Sequence, residues 1–495
     1  MTRPIRYMPI SVSRCMSTQH PDNINTPFFS DSEILAGEAE IKEAYYVFSQ
    51  LGCREQMWDS EGKEVDDEVI EKLISKYTEF FKKNIIGKDV FLTYRAPNPS
   101  VQKEQGKILL ETLHSIPRAY DVAQVLGQNV APIFEVILPM TTTQNEIEMI
   151  KNYYERVIIG QKNAKVSPSK TVKEWVGDFQ PETINVIPLF ESYQAFTDAP
   201  NIMEEYLKGK NLEYQRVFLA RSDPALNYGS VSAVLMAKIA LLELDEVQEK
   251  TSVDLLPIIG VGSAPFRGNF RPDNVSNCMD EYPSVQTFTA QSSFKYDHPF
   301  RDVANAIDIL NMSRRRGALP IDKKKATKFI HKIKDEYEKQ IISVAELINS
   351  LSHVLPARRS RKLHVGLFGY SRSMKGVKLP RAIKFCGAFY SLGVPAELLG
   401  LNALTEKEFE ELHDIYVRFD DDLKDICKYI NISNIKKMPP VVSKGLLKVL
   451  SWIEYEEDEE YVEVTSSIYN AYTKGNNPLL LEEVKRAAWM RKFLG

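Results

Sequence analysis

Short aliphatic and β-branched runs that end in a polar residue, each followed by a long stretch with apolar positions at helical spacing, organise most of this chain. The runs are "YMPISVSRCMS", "DVFLTYRAP", "PIFEVILPMT", "NVIPLFES", "QRVFLARSD", "LLPIIGVGS", "VQTFTAQSSFKYD" and "KLHVGLFGYSR", eight between residues 7 and 373. Apolar runs without strict alternation fit strands covered on both faces, the habit of parallel sheets. The stretches between them, such as "DEVIEKLISKYTEFFKKN" and "TKFIHKIKDEYEKQIISVAELINSL", interleave apolar and charged positions as amphipathic helices do. Strand and helix alternating eight times predict a (β/α)8 barrel, with a doubly wound sheet as the competing arrangement. "REQMWDSEGK", which holds Trp58 and Asp59, reads as packing plus a turn. The expected division is a catalytic barrel with inserted helices over 1–400 and a C-terminal helical extension packed on it over 401–495.

A barrel of this kind presents its site at the C-terminal ends of its strands. Those ends carry His20, Arg95, Thr141, Glu191, Asp223, Arg267, Lys295 and Arg372. A strand that merely leaves a core needs polarity, which Ser, Gly, Asn and Lys supply. Three arginines, two acids and a histidine instead describe a site for an anionic ligand with a metal. His20 itself stands in "CMSTQHPDN", where His-Pro-Asp-Asn is also ordinary turn chemistry.

Glu191 and Asp223 are hard carboxylates at the ends of successive runs, suited to Mg²⁺ or Mn²⁺ completed by water and substrate oxygens. The competing reading makes them ion-paired rim residues, with Arg221 a ready partner for Asp223. "GVGSAPFRGNFRP" is a Gly-rich loop with two arginines, neither a Walker A loop nor a dinucleotide fingerprint. Its glycines can let backbone N–H groups approach an anion or can simply serve a turn. "GYSRSMKGVKLPRAI" brings Arg372, Lys375, Lys378 and Arg381 around Gly376, at the barrel's phosphate-binding corner, as a basic lid or a solvated charge run. His114, His331 and His413 fall in helix-like stretches, His364 in the last run and His298 before a proline; all read as structural.

Composition narrows the classes further. A 495-residue chain with 43% hydrophobic and 26% charged residues is an ordinary globular protein, and a net charge of -4 announces neither nucleic acid nor membrane as partner. Cys15, Cys53, Cys278, Cys386 and Cys427 are scattered, with no metal-ligand spacing, so reduced thiols and a cytoplasmic location are expected. "MTRPIRYMPI" shares an Arg-containing, acid-free bias with transit peptides but has no apolar h-region. No run of about 18 apolar residues occurs.

Taken in order, these segments resemble phosphoenolpyruvate carboxylases, in particular the short archaeal type. "MSTQHPDN" is close to that type's signature and is similar to the Thr-Ala-His-Pro-Thr-Glu segment of the long enzymes, which implies that His20 is catalytic. "IPLFES" resembles Pro-Leu-Phe-Glu-Thr and "ARSDPALNYG" the Tyr-Ser-Asp-Ser segment, which implies metal binding by Glu191 and Asp223. "FRGN" looks like Gly-Arg-Gly-Gly, matching Arg267. "GYSR" and "LPRAI" resemble Gly-Ser-Arg and Leu-Arg-Ala-Ile, matching phosphate-binding and catalytic arginines at Arg372 and Arg381. "LTYRAPNP" fits the archaeal type and offers Arg95 for the second-strand arginine. The matches run from residue 16 to about 400, and "AWMRKFLG" is similar to the family's Gly-ending tail. The departures are Val261, where the long enzymes carry a second loop arginine, the missing lysine after Asp223, and the absent helical insertions. Lys295 or Lys375 is the expected substitute charge.

The resemblance implies carboxylation of phosphoenolpyruvate by bicarbonate to oxaloacetate and phosphate, with Mg²⁺ or Mn²⁺, in a homotetramer. Bicarbonate attacks phosphorus, giving carboxyphosphate and the enolate of pyruvate; His20 takes the carboxyphosphate proton, and the CO₂ released meets the enolate. An ordinary imidazole, near 6.5, suits such a base. Arg95, Arg267, Arg372 and Arg381 neutralise the phosphoryl group, and Leu189 lines the CO₂ pocket. The competing functions are another metal-dependent phosphoenolpyruvate or pyruvate barrel enzyme, such as a mutase or aldolase, and a non-catalytic metabolite-binding homologue. Asp22 as an orienting partner of the imidazole is left open.

Overall fold

The computed structural model describes residues 12–61, 66–359, 372–374 and 376–495. Eight parallel strands close into a barrel in chain order: β1 (Cys15–Ser17), β2 (Glu55–Asp59), β3 (Phe91–Arg95), β4 (Glu135–Leu138), β5 (Asn185–Phe190), β6 (Tyr214–Ala220), β7 (Asp254–Gly260) and β8 (Thr287–Ala290). Closure pairs β1 with β8, Met16 opposite Thr289, and with β2, Met16 opposite Glu55.

The barrel and its eight strands agree with the sequence reading, but the membership differs. "EQMWD", read as packing plus a turn, is β2 and is buried throughout. It escapes an apolar-run criterion because its inward positions are Glu55, Met57 and Asp59. Arg95 therefore ends the third strand, not the second. The barrel closes without the last run, "KLHVGLFGYSR": β8 pairs directly with β1. Residues 362–371 of that run lie outside the described residues, and Arg372–Met374 pairs antiparallel with Val377–Leu379.

Alternation along each strand sorts the side chains. On β6, Val217 and Leu219 face the surrounding helices, while Arg216, Phe218 and Ala220 face inward. At the lower end Arg216 donates to both carboxylate oxygens of Glu55 at 2.6 and 2.9 Å, to Glu135 Oε2 at 2.8 Å and to Thr287 Oγ1 at 3.2 Å. One side chain from each even-numbered strand thus forms an ionic layer. Above it Met16, Met57, Ile137, Ile187, Leu189, Phe218 and Ile258 form an apolar layer. Layers of this kind fill a barrel solidly and confine any cavity to the mouth.

Helices surround the strands. Lys323–Ser352 packs on Ser230–Thr251, and the pair Glu459–Thr473 and Asn477–Arg491 packs on Ala382–Leu392. Among the described residues no single helix is long and apolar enough to cross a membrane.

Candidate active site

"CMSTQHPDN" leaves β1 as a tight turn that delivers His20 to the barrel mouth. Thr18 N donates to Ala290 O at 3.0 Å, and His20 O accepts from Ser292 N at 3.2 Å and from Asp22 N at 3.1 Å. The imidazole Nδ1 lies 2.8 Å from Thr18 Oγ1. Asp22 does not orient the ring. Its carboxylate accepts from Ser293 N at 2.7 Å and from Arg267 Nη1 at 3.1 Å. Burial, reinforced by Arg95, Arg267 and Arg359 and only partly opposed by Asp59, holds the His20 imidazole well below its usual range. The ordinary imidazole value expected from sequence is therefore corrected downward, and the ring is neutral at neutral pH.

A cavity of about 110 Å³ opens beside His20, lined by Arg95, Arg221, Arg267, Arg381, Glu61, Glu191 and Asp223 among polar residues, and by Leu189, Phe218 and Ala220 on its apolar side. Arg95 spans to β2, donating Nε and Nη2 to Asp59 Oδ1 and Oδ2 at 2.8 and 2.6 Å, with Glu61 3.4 Å from Nε. Arg267 is buried, and its donors meet Ser222 Oγ at 3.1 Å, Asp22 Oδ2 at 3.1 Å, Gly495 O at 3.0 Å and Gln291 Oε1 at 2.5 Å. Four of five guanidinium N–H groups are thereby committed to the protein, which fixes the cation in place.

The Gly-rich loop serves this arginine. Gly262 N donates to Arg267 O at 2.8 Å, and a Cβ on Gly262 would sit 3.0 Å from the guanidinium carbon, from Nη1 and from Gln291 Oε1. The glycine admits the guanidinium. Val261 is buried under Gly268, so no charge occupies the long enzymes' second loop-arginine position.

Glu191 follows β5, just before Ser192, whose hydroxyl caps the helix Tyr193–Leu207 by accepting from Ala195 N at 3.1 Å. Asp223 lies in the first turn of Ser222–Tyr228, after β6. Successive strand ends thus bring both carboxylates to one cavity. Arg221, offered by the sequence as an ion-pair partner for Asp223, is buried and donates to Ser230 Oγ at 3.1 Å.

Of the ten residues selected from sequence, seven line this cavity: His20, Arg95, Leu189, Glu191, Asp223, Arg267 and Arg381. Lys295 does not. It lies on Ser292–Tyr296, buried, with Nζ on Ser17 Oγ, Thr18 O and Glu43 Oε1 at 2.9, 3.0 and 2.8 Å. Lys375 and the side chain of Arg372 lie outside the described residues. Thr141 is buried, its hydroxyl donating to Leu138 O at 2.8 Å. Sequence reasoning missed Asp59, Glu61, Ser222 and Gln291. Asp59 stands directly opposite Arg95 in register, a pairing that only the fold reveals.

An eight-stranded parallel barrel whose mouth gathers arginines, three carboxylates and a neutral imidazole defines a barrel enzyme for a small anionic substrate. Residues 12–495 match the family model described as phosphoenolpyruvate carboxylase. The curated phosphoenolpyruvate carboxylase of Methanothermobacter thermautotrophicus is 49% identical over 487 residues, covering 98% of this chain and 100% of that one. Those of Methanospirillum hungatei and Pyrococcus furiosus are each 48% identical with the same coverage. The chain belongs to the phosphoenolpyruvate carboxylase family, and carboxylation of phosphoenolpyruvate to oxaloacetate is its reaction.

Proposed function

We propose that the barrel mouth carries out this carboxylation with His20 as proton acceptor, Arg95, Arg267 and Arg381 as the cations facing phosphate and carboxylate, and Glu191 and Asp223 as the holders of a divalent ion. Arg372 and Lys375 belong to the same proposal as substrate-binding residues. The observation that supports it best is the convergence on one cavity of seven residues chosen from the sequence.

The donor set fits the ion. Two carboxylates from successive strand ends lining one cavity suit Mg²⁺ or Mn²⁺, which take few protein ligands. Water and substrate oxygens would complete the shell. Bound there, the ion supplies positive charge where the enolate oxygen develops.

The protein's own residues account for the remainder. The guanidinium groups hold the phosphoryl group in place and offset its charge as it passes to bicarbonate. Neutral His20 then accepts the carboxyl proton of carboxyphosphate at Nε2. The O–H pair becomes the second C=O of CO₂, and the C–O bond to the phosphate oxygen breaks with its electrons staying on phosphate. Leu189, Phe218 and Ala220 give CO₂ an apolar resting place and keep water from protonating the enolate.

A coupled assay tests the reading: phosphoenolpyruvate, Mg²⁺ and bicarbonate, with malate dehydrogenase and NADH consuming oxaloacetate. Bicarbonate-dependent NADH oxidation is expected. Oxidation that persists without bicarbonate, or never appears, overturns it. The proposal extends to a homotetramer, checked by sedimentation equilibrium, and to a cytoplasmic location.

A further inference from the structure

His20 reaches the cavity on a strand end that is tied down with unusual thoroughness. Thr18 is fully buried, and both of its main-chain groups are committed, N to Ala290 O at 3.0 Å and O to Lys295 Nζ at 3.0 Å. Lys295 is held in turn by Glu43, whose carboxylate also accepts from Arg359 Nη2 at 2.6 and 2.7 Å and from Tyr296 OH at 2.6 Å. This buried ion network fixes the main chain of Thr18, and Thr18 Oγ1 has one hydrogen-bond partner among the described residues, His20 Nδ1 at 2.8 Å.

A hydroxyl can meet a neutral imidazole in two ways. If Thr18 donates its O–H to Nδ1, the ring proton sits on Nε2, and the nitrogen left for the cavity is a donor. If Nδ1–H donates to Thr18 Oγ1, the Nε2 lone pair faces the cavity and can take a proton. Only the second arrangement makes His20 a base. We infer that Thr18 is the positioning residue of His20, its hydroxyl oxygen accepting the Nδ1–H of the tautomer whose Nε2 lone pair faces the cavity. The inference rests on the assignment of His20 as proton acceptor.

The neutrality of the partner matters as much as its position. A carboxylate at Nδ1 would stabilise imidazolium and raise the proton affinity of the ring. The largest charge effects on the ring come from Arg95, Arg267 and Arg359, with Asp59 opposing them. A hydroxyl can hold the Nδ1–H without cancelling that cationic surplus. During turnover the carboxyphosphate proton arrives on Nε2 while Nδ1–H stays on Thr18, and the imidazolium, lacking a counter-ion at Nδ1, passes its proton on to solvent once phosphate has left.

Thr18→Val removes the hydroxyl at similar size, and Thr18→Ser keeps it. Thr18→Val is expected to lower kcat for oxaloacetate by about tenfold to a hundredfold, with KM for phosphoenolpyruvate changed less than about twofold, and Thr18→Ser to restore kcat. In ¹⁵N-histidine NMR of the full-length wild type, with the His20 signal assigned by its loss in His20→Asn, Nδ1 is expected to carry the proton. Wild-type kcat in Thr18→Val, or a proton on Nε2 in the wild type, overturns the inference. Should Thr18→Val fail to fold, the wild-type spectrum decides alone. Normal turnover by His20→Asn would instead overturn the base assignment, so the two failures are distinguishable.

Discussion

Arg95 meets Asp59 edge-on, both carboxylate oxygens engaged at 2.8 and 2.6 Å, across the register pair that joins β2 to β3. The carboxylate aims a cation at the cavity rather than cancelling it, because Arg95 still lines the wall. Asp59→Asn retains one acceptor and loses the bidentate charge pairing. KM for phosphoenolpyruvate is expected to rise about tenfold, the equivalent of about 1.4 kcal/mol. Steady-state kinetics check this, and an unchanged KM would detach Asp59 from substrate binding.

His20→Asn should bind phosphoenolpyruvate with near wild-type affinity and form no oxaloacetate. Equilibrium binding together with the coupled assay separates the two properties.

The pH dependence follows from the depressed His20. In the proposed role the working form is the neutral ring, and a lowered folded value means the ring protonates only on the acid side of its ordinary range near 6.5. The acid limb of the kcat profile should therefore fall below about pH 6.5. Stability follows with the same sign: between the folded and unfolded values the unfolded chain binds more protons, so stability declines as pH drops through that window. An acid limb above about 7 would contradict the burial of the ring.

Glu191→Gln keeps the size of the side chain and removes a charged oxygen donor. The Mg²⁺ concentration for half-maximal activity should rise at least about tenfold. An identical metal titration would remove Glu191 from the metal site.

Gly262→Ala places a methyl 3.0 Å from the Arg267 guanidinium and from Gln291. The arginine must shift, and a small displacement of a charged group in a preorganised site costs much of its effect. A loss in kcat of about tenfold or more is expected, with a melting temperature only a few degrees lower. Wild-type kcat would mean that Arg267 tolerates movement.

The sequence was most informative where chemistry and burial agreed. Glu191, Asp223 and His20 stand just past runs that are recognisable as strands, so strand ends led directly to them. It was least informative at β2, where Glu55 belongs to the ionic layer around Arg216 and Asp59 to the grip on Arg95. A buried strand can carry charge when another strand supplies the counter-charge, and no single run reveals that partner. Lys295 illustrates the converse. Its place after β8 suggested a ligand contact, but Glu43, supplied by the helix Glu38–Ser49, draws its ammonium beneath β1. The final apolar run misled for a simpler reason: with β2 unrecognised, an eighth strand had to be found elsewhere.

Arg267 takes its four acceptors from residues 245, 45, 24 and 228 positions away along the chain. Contacts of such separation close late in folding, after local helices have formed. A polypeptide whose last helices have not docked carries every reactive side chain and still lacks a fixed cation at its centre. In the role proposed for Arg267, catalytic competence thus reports on complete assembly.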